Sequence, residues 1–516
     1  MKSVIIIGGG FGGLTTGALL AREGMHVTVL EKNTAIGGGL QSFTRRGIHF
    51  ETGMHILGGL SEGGSVRRFF QYLGIMDKLH IQQCDMDCMD EVTYLSTGDH
   101  YRLPQGREAF TEALCHYFPA ESDGIRRYLQ ACYDLTEEVD TFYLRPTPSV
   151  FAMHSERFMQ PADEFIADFI EDFRLRDLLA YMNPMYGGVP GHTPAYIHAL
   201  INVLYIGGQY HFIGRSQHMA ELLADVIREH GGEVITGKTV CSVNVTNKQV
   251  TDLLTDDGRH YTADYYISTI HTKTLLPLLT DGALPRAYVC RLSEAPVTYS
   301  AFILYIAFKP KSFRYFNHTG YIQDDYGQIW NHADYDPASW PRGLMYLTPP
   351  TENQGSWAVR MTVNCLMSWN EVERWGHTRL GHRGDDYEAW KHEQAERIID
   401  KLERRFPSIR ECIYTYYTAS PLTIRDYYGS PEGALYGYSK DGLDPARTLI
   451  SPVTKVRNLL LSGQCVNLHG ICGVPLTAIN TAECIFGLNT IVDKINTFCD
   501  NQTNSQPSNK NSKQNR

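Results

Sequence analysis

Residues 4–7 form an unbroken apolar run, which predicts a strand buried on both faces. Leu14, Ala18 and Ala21 then recur at helical spacing, and Gly24 closes that helix. Residues 26–30 alternate into a second predicted strand that ends at Glu31. Farther along, Met219, Leu222, Leu223, Val226 and Ile227 mark an amphipathic helix, stopped by Gly231 and Gly232. Short strands are predicted over residues 233–235, 239–245 and 249–254, then a turn at Asp256-Asp257-Gly258 and a strand over 265–270. Near the end, residues 458–463 predict an apolar strand and 464–473 a loop. Pro475 fits the first turn of a helix that Leu476, Ile479 and Cys484 continue. Residues 501–516, rich in Asn, Gln, Ser and Lys, predict disorder.

The opening strand–turn–helix carries Gly8, Gly10 and Gly13 as G-x-G-x-x-G. Gly8 allows a sharp turn, Gly10 a close approach of backbone to a pyrophosphate, and Gly13 tight packing of helix on strand. The helix N-terminus offers free N–H groups and a positive dipole end to phosphates. Glu31, at the end of the second strand, is placed to accept both hydroxyls of a ribose and to repel a 2′-phosphate, which excludes NADP at this site. The stretch from Lys32 to Phe43, with Gly37, Gly38, Gly39 and Leu40, passes a diglycine close to a dinucleotide as flavoproteins do, pointing to FAD. Ser42 is a candidate hydrogen-bond donor to its phosphate side.

Composition narrows the class. The 516 residues are 43% hydrophobic, a length suited to two interleaved domains. Net charge is −10 from 47 basic and 57 acidic residues, without a basic run, so a nucleic-acid partner is not expected. The twelve cysteines lack zinc spacing and no metal is expected; unpaired, they fit a reducing compartment, hence a cytoplasmic setting. The first apolar stretch has the composition of a signal peptide, but its ordered glycines are explained by nucleotide binding. No other window reaches a membrane span.

Three segments carry a family resemblance: G-G-G-L-Q-S-F-T-R-R-G-I-H-F-E-T-G-M-H-I-L-G-G (residues 37–59), S-P-L-T-I-R-D-Y-Y-G-S-P-E-G-A-L-Y-G (420–437) and N-L-L-L-S-G-Q-C-V-N-L-H-G-I-C-G-V (458–474). Together they resemble the phytoene desaturase superfamily of FAD-dependent oxidoreductases, within it the branch of retinol saturases (all-trans-retinol 13,14-reductases) and carotenoid isomerases. The resemblance extends to about residue 490. It implies an α/β fold in which a Rossmann-like FAD-binding domain of the amine oxidase and phytoene desaturase kind (GR2-type) is interleaved with an α+β substrate domain. The division expected is residues 1–65, 206–300 and 455–495 for FAD, 66–205 and 301–454 for substrate, and a disordered tail over 496–516. Carried over by position, Gly8, Gly10, Gly13, Glu31, Lys32, Gly37, Gly38, Gly39, Leu40, Ser42, Gly53, Met54, His55, Val240, Gly463, Gln464, Gly473 and Val474 should surround FAD, with the Val240 backbone on adenine. One departure is the turn over residues 211–216, H-F-I-G-R-S, where relatives often have a Pro-x-Gly-Gly-Met-like sequence bordering the substrate.

The resemblance also implies a long apolar polyene or isoprenoid substrate and chemistry on its C=C bonds by hydride transfer at flavin N5. Saturation needs a proton donor as well; His55 and His469, beside flavin-proximal glycines, are the candidates, each equally able to do no more than bond loop backbone. Tyr427 and Tyr428 are weaker donors. Met153, Met159, Met182 and Met185 lie in an aromatic- and Met-rich region, 142–212, that suits a flexible apolar tunnel. With no second G-x-G-x-x-G, electrons must be exchanged with an external partner, NAD(P)H or a quinone, or with oxygen. Apolar substrates imply peripheral contact with a membrane surface. Alternatives are a flavin-dependent carotenoid cis-trans isomerase without net redox change and a prenyl-binding non-enzymatic relative such as the Rab GDP-dissociation inhibitors; the intact pyrophosphate cradle argues against the latter. The likeness over 464–474 favours a polyene over amine oxidation.

Overall fold

In the computed structural model, which describes residues 1–54, 56–148, 153–331 and 335–505, two sheets organise the chain. The first has five parallel strands in the order Glu233–Ile235, His26–Leu30, Ser3–Ile7, Tyr265–Ser268 and Leu459–Leu461. Its strands come from three distant stretches, so the sheet closes only after the chain has left and returned twice. Helix Phe11–Arg22 packs between Gln217–Glu229 and Gly470–Phe486 on one face. Its first turns can approach the strand because Gly13 has no side chain: a Cβ there would sit 1.9 Å from the Gly8 carbonyl oxygen.

The second sheet has seven strands, ordered Ile413–Ala419, Ser300–Phe308, Arg360–Met367, Gly343–Leu347, Thr319–Gln323, Asp90–Tyr94 and His100–Leu103. All its pairs are antiparallel except Thr319–Gln323 with Asp90–Tyr94. The Ser300–Phe308 strand is buried throughout, so both faces of this sheet are covered. One face packs on Asp385–Arg405 through Trp390, Ile398 and Leu402. The helix Ala195–Ile206, apolar on nearly every side and almost wholly buried, carries much of the remaining core. A parallel nucleotide-type sheet joined to a largely antiparallel one is the α/β arrangement the resemblance implies.

Three local expectations are corrected. A helix runs from Thr490 to Ser505, so ordered chain continues past residue 496. Its apolar side, Ile491, Val492, Ile495 and Cys499, is buried, and Arg68 bonds Asn496 and Asp500 across it. Residues 506–516, the rest of the expected tail, lie outside the described residues. The late helix begins at Gly470, which places Pro475 inside it and not in its first turn. In its first turn Gly473 packs on Leu468, where a Cβ would meet Leu468 Cβ at 2.5 Å. Residues 209–212 form a strand between Ile56–Gly58 and Ile81–Gln83, so the expected turn at residue 211 starts only beyond Phe212.

Candidate functional site

One cavity of about 520 Å³ runs from the ends of the parallel strands to the wide sheet. At its first end the wall is mostly backbone. Gly8 turns at φ +104°, which an L side chain rarely adopts. Gly10 is the N-cap of Phe11–Arg22 and brings no side-chain cap, leaving the N–H groups of the first helical turn facing the cavity. Across from it Gly38 lies so close that a Cβ there would be 3.1 Å from Gly10 Cα; on the far side a Cβ on Gly12 would be 3.0 Å from Gly463 Cα. Three loops thus converge at positions without side chains, and the space they leave fits a diphosphate held by amides and a helix dipole.

Glu31 lines the same end and is buried. Its Oε2 accepts from Gly9 N at 2.7 Å and its Oε1 from Asn33 N at 2.8 Å. A carboxylate has about four acceptor sites, so two remain for vicinal ribose hydroxyls. Lys32 donates to the Asp426 carbonyl, and Lys238, paired with Asp257, stands beside Val240.

Sequence-expected residues divide as follows. Gly8, Gly10, Glu31, Lys32, Gly38, Gly39, Leu40, Gly53, Met54, Val240, Gly463, Gln464, His469, Gly473 and Val474 all border the cavity. Gly13, Gly37 and Ser42 do not. Gly13 and Gly37 act one layer behind, Gly37 at φ +109° donating to the Gly9 carbonyl. Ser42 opens a hairpin strand, and its N–H and hydroxyl both face the Gln217 amide oxygen, away from any phosphate. His55 lies outside the described residues. Of the four methionines, Met185 alone borders the cavity; Met182 is core and Met153 is 98% exposed.

His469 is half-buried against Tyr436, with ring centroids 4.4 Å apart, and its Nε2 meets the Met185 carbonyl at 3.0 Å. Burial pulls its pKa down to about 4, so the ring is neutral near pH 7 and its one N–H is committed to Met185. It is also the N-cap residue of Gly470–Phe486, whose first turn opens on the cavity. Tyr428 is the titratable neighbour of the glycine loop: a Cβ on Gly39 would be 3.4 Å from its hydroxyl. Burial pushes the phenol up, so it keeps its proton.

One residue escaped the sequence reading. His271 caps the short helix Thr272–Leu275, accepting from Lys273 N through Nδ1 at 3.2 Å. Burial, then Lys273, pulls its pKa to about 4. The proton of the neutral ring therefore sits on Nε2, which is buried and has no hydrogen-bond partner, and the residue is part of the cavity lining. A donor left in that state suits an acceptor atom of a bound nucleotide. His271 stands shortly past the Tyr265–Ser268 strand, at the carboxyl end where such sheets bind ligands, and that position is the one mark it bears in the sequence.

The far half of the cavity is side chain. Ile197, Leu200, Ile201 and Leu204 come from Ala195–Ile206, Ile303 and Met345 from the wide sheet, and Ile424 from Pro421–Tyr428. Among the described residues lining the whole cavity, Glu31 is the sole carboxylate.

Known proteins are similar to this chain in sequence and fold. The chain is 26% identical over 540 residues to all-trans-retinol 13,14-reductase of Macaca fascicularis, covering 95% of this chain and 86% of that protein. It is 23% identical over 515 residues to 4,4′-diaponeurosporene oxygenase of Staphylococcus haemolyticus, covering 96% and 99%. Among solved structures, putrescine oxidase bound to putrescine superposes with a TM-score of 0.63 at 15% identity over 94% of this chain and 99% of the other, a likeness of fold. The family model for flavin containing amine oxidoreductases matches residues 11–485. The chain belongs to that family and is an FAD-dependent oxidoreductase.

Proposed function

We propose that the protein acts on a C=C bond of a polyene or isoprenoid held in the far half of the cavity. The observation that carries this reading is the make-up of that wall: aliphatic side chains from a helix and a sheet, with no carboxylate among its described residues. An ammonium substrate would be desolvated there without a counter-charge, which is costly. A hydrocarbon chain loses nothing and gains roughly 25 cal/mol for each Å² of apolar surface it buries.

Bound FAD supplies the redox chemistry. The chain's residues do the rest. Aliphatic walls exclude water and align the chain. The glycine loop 37–39 sets the distance between cofactor and substrate. Tyr428, kept protonated by burial beside Gly39, holds a proton at its hydroxyl where the two halves of the cavity meet. His469 is a positioning residue: neutral and tied to Met185, it fixes the loop ahead of Gly470–Phe486. Electrons are exchanged with an external NAD(P)H or quinone that docks at the cofactor. Among the described residues no single helix is long and apolar enough to cross a membrane, so access to an apolar substrate is proposed to be by surface contact.

The test is anaerobic reduction of the bound flavin followed by reoxidation with a panel of retinoids, carotenoids and quinones, with products weighed by mass spectrometry. A polyene that speeds reoxidation and gains two hydrogens supports a saturase. An oxidised flavin reduced by a polyene that loses two hydrogens supports a desaturase. Turnover without mass change moves the reading to isomerisation. If no polyene alters the flavin or is altered by it, the substrate assignment falls.

A further inference from the structure

In the wide sheet, Asn364 stands opposite Ile303 on one neighbouring strand and opposite Met345 on the other. All three side chains border the cavity, so they form a short row across its floor. The middle of this row is an amide. Its Oδ1 is shielded from solvent and has no hydrogen-bond partner. A polar atom in that state costs free energy that a Leu or Val on the same strand would not.

Four other polar groups of this half are already committed to the protein. Tyr205 Oη donates to the Ile56 carbonyl at 3.2 Å, and Tyr436 Oη to that of Pro184 at 2.8 Å. Gln464 Nε2 donates to the Leu435 carbonyl at 3.1 Å, and His469 Nε2 lies 3.0 Å from that of Met185. Asn364 stands on the apolar floor with its Oδ1 capacity unmet. The torsion that turns its amide is broad and roughly two-fold, so either end can face the cavity. Facing it, the amide offers an acceptor through Oδ1 and a donor through Nδ2, a pair that one hydroxyl satisfies with both its proton and its lone pairs.

We propose that Asn364 is a specificity residue that hydrogen-bonds the hydroxyl of an otherwise apolar substrate, selecting a polyene alcohol over the corresponding hydrocarbon or ether. This rests on the apolar substrate of the preceding section and adds its polar end. The bond also fixes the register of the chain along the cavity, and so which double bond meets the cofactor. A hydrocarbon at the same place leaves the amide buried and unmatched, and an ether can accept from Nδ2 but offers Oδ1 nothing.

The experiment uses flavin-loaded protein and three probes: all-trans-retinol, its methyl ether, and the hydrocarbon carrying a methyl group in place of the alcohol. Binding is read by quenching of tryptophan fluorescence, and integrity of the site by the flavin absorption spectrum. Wild type is expected to hold the alcohol on the order of tenfold more tightly than the other two. Asn364→Leu should erase that ratio by weakening the alcohol alone, with hydrocarbon affinity and flavin spectrum unchanged. Asn364→Ser, which restores a small hydroxyl, should recover part of the preference. Equal binding of alcohol and hydrocarbon by wild type overturns this inference and leaves the polyene reading intact. So does an undiminished preference in Asn364→Leu, or in Asn364→Ser should the leucine variant lose its flavin. Failure of wild type to bind any of the three overturns both.

Discussion

At the nucleotide end of the cavity the wall is backbone, and at the substrate end it is side chain. Gly8, Gly10, Gly12, Gly38 and Gly463 shape the first by what they lack, letting three loops approach so closely that an added Cβ on Gly12 or Gly38 would meet the next loop's Cα at 3.0 or 3.1 Å. Leu200, Ile201, Leu204, Ile303 and Met345 shape the second by volume. A backbone wall presents the same amides whatever the neighbouring residues are, so it recognises one cofactor with little tolerance. A side-chain wall can be recut one residue at a time. The same chain therefore carries a fixed end and an adjustable end, and substitutions at the two should fail differently.

The largest effect is expected at Gly10. Its φ of −74° accepts a side chain, and a Cβ there meets nothing closer than Gly38 Cα at 3.8 Å. Gly10→Val should therefore fold and yet fill the cradle, giving colourless protein of near wild-type melting temperature. Gly13→Ala, whose Cβ would lie 1.9 Å from the Gly8 carbonyl oxygen, should instead lose stability outright. Flavin absorbance per mole of protein and thermal melting separate the two. A fully flavinated Gly10→Val would break the contrast between the ends, because the cradle would not then depend on bare backbone.

The opposite outcome is expected on the helix wall. Ile201→Trp adds bulk where the wall borders open space, so flavin content should stay at the wild-type level. Polyene affinity should fall by about tenfold or more, the scale of a 1–3 kcal/mol overpacking cost. Titration of the flavinated variant with a polyene checks this. Loss of flavin from Ile201→Trp would mean the two ends are not independent.

That contrast also explains what could be seen from sequence. The nucleotide end was legible because a backbone approach demands glycine at fixed spacing, and spacing survives in one dimension; Gly8, Gly10, Gly38 and Glu31 were all named and all border the cavity. The substrate end was not. Ile303, Met345 and Asn364 become neighbours only through strand pairing, and nothing along the chain marks them as a row. Methionine content pointed to a tunnel, but a flexible apolar side chain suits core, surface and cavity alike: Met182, Met153 and Met185 take one each. Ser42 misled for a related reason, since two residues beyond the glycine loop the chain has already turned into a hairpin. His271 was missed because a single histidine after a strand carries no spacing to read.

His271 sharpens the fixed end. Its buried Nε2–H has no partner within the protein, so a bound dinucleotide is expected to accept from it. His271→Ala should bind FAD about fivefold more weakly, the value of one neutral hydrogen bond of about 1 kcal/mol. Because the ring is already neutral near pH 7 and its pKa is pulled to about 4, the difference in FAD affinity between wild type and the alanine variant should be flat from neutral pH down toward pH 5. Isothermal titration of apoprotein with FAD reads both. Unchanged affinity in the alanine variant would leave His271 as no more than a helix cap.

The smallest effect on ligand binding is expected at His469, whose change is read in stability instead. Burial holds its pKa at about 4 in the fold, against an ordinary 6.5, so the unfolded chain takes up the proton first. Its contribution to stability is therefore complete above pH 6.5 and drains away as pH falls from 6.5 toward 4, at up to about 1.4 kcal/mol per pH unit. His271 has the same sign. Asp90 and Asp177, pushed up to about 7 by burial, run the other way: they favour the fold at low pH and lose that contribution as pH rises toward 7. The total profile mixes these terms, so the informative quantity is a difference. His469→Gln keeps a donor for the Met185 carbonyl and removes the titration. Urea unfolding of flavinated protein at about pH 7, 6 and 5 should show the variant less stable than wild type at pH 7, with the gap closing by about one proton's worth of slope as the medium becomes acid. A constant gap across that range would mean that His469 takes up its proton alike in the folded and unfolded chain, and a gap that widens in acid would mean an imidazolium held by the fold at the start of Gly470–Phe486, which would return it to the list of proton donors.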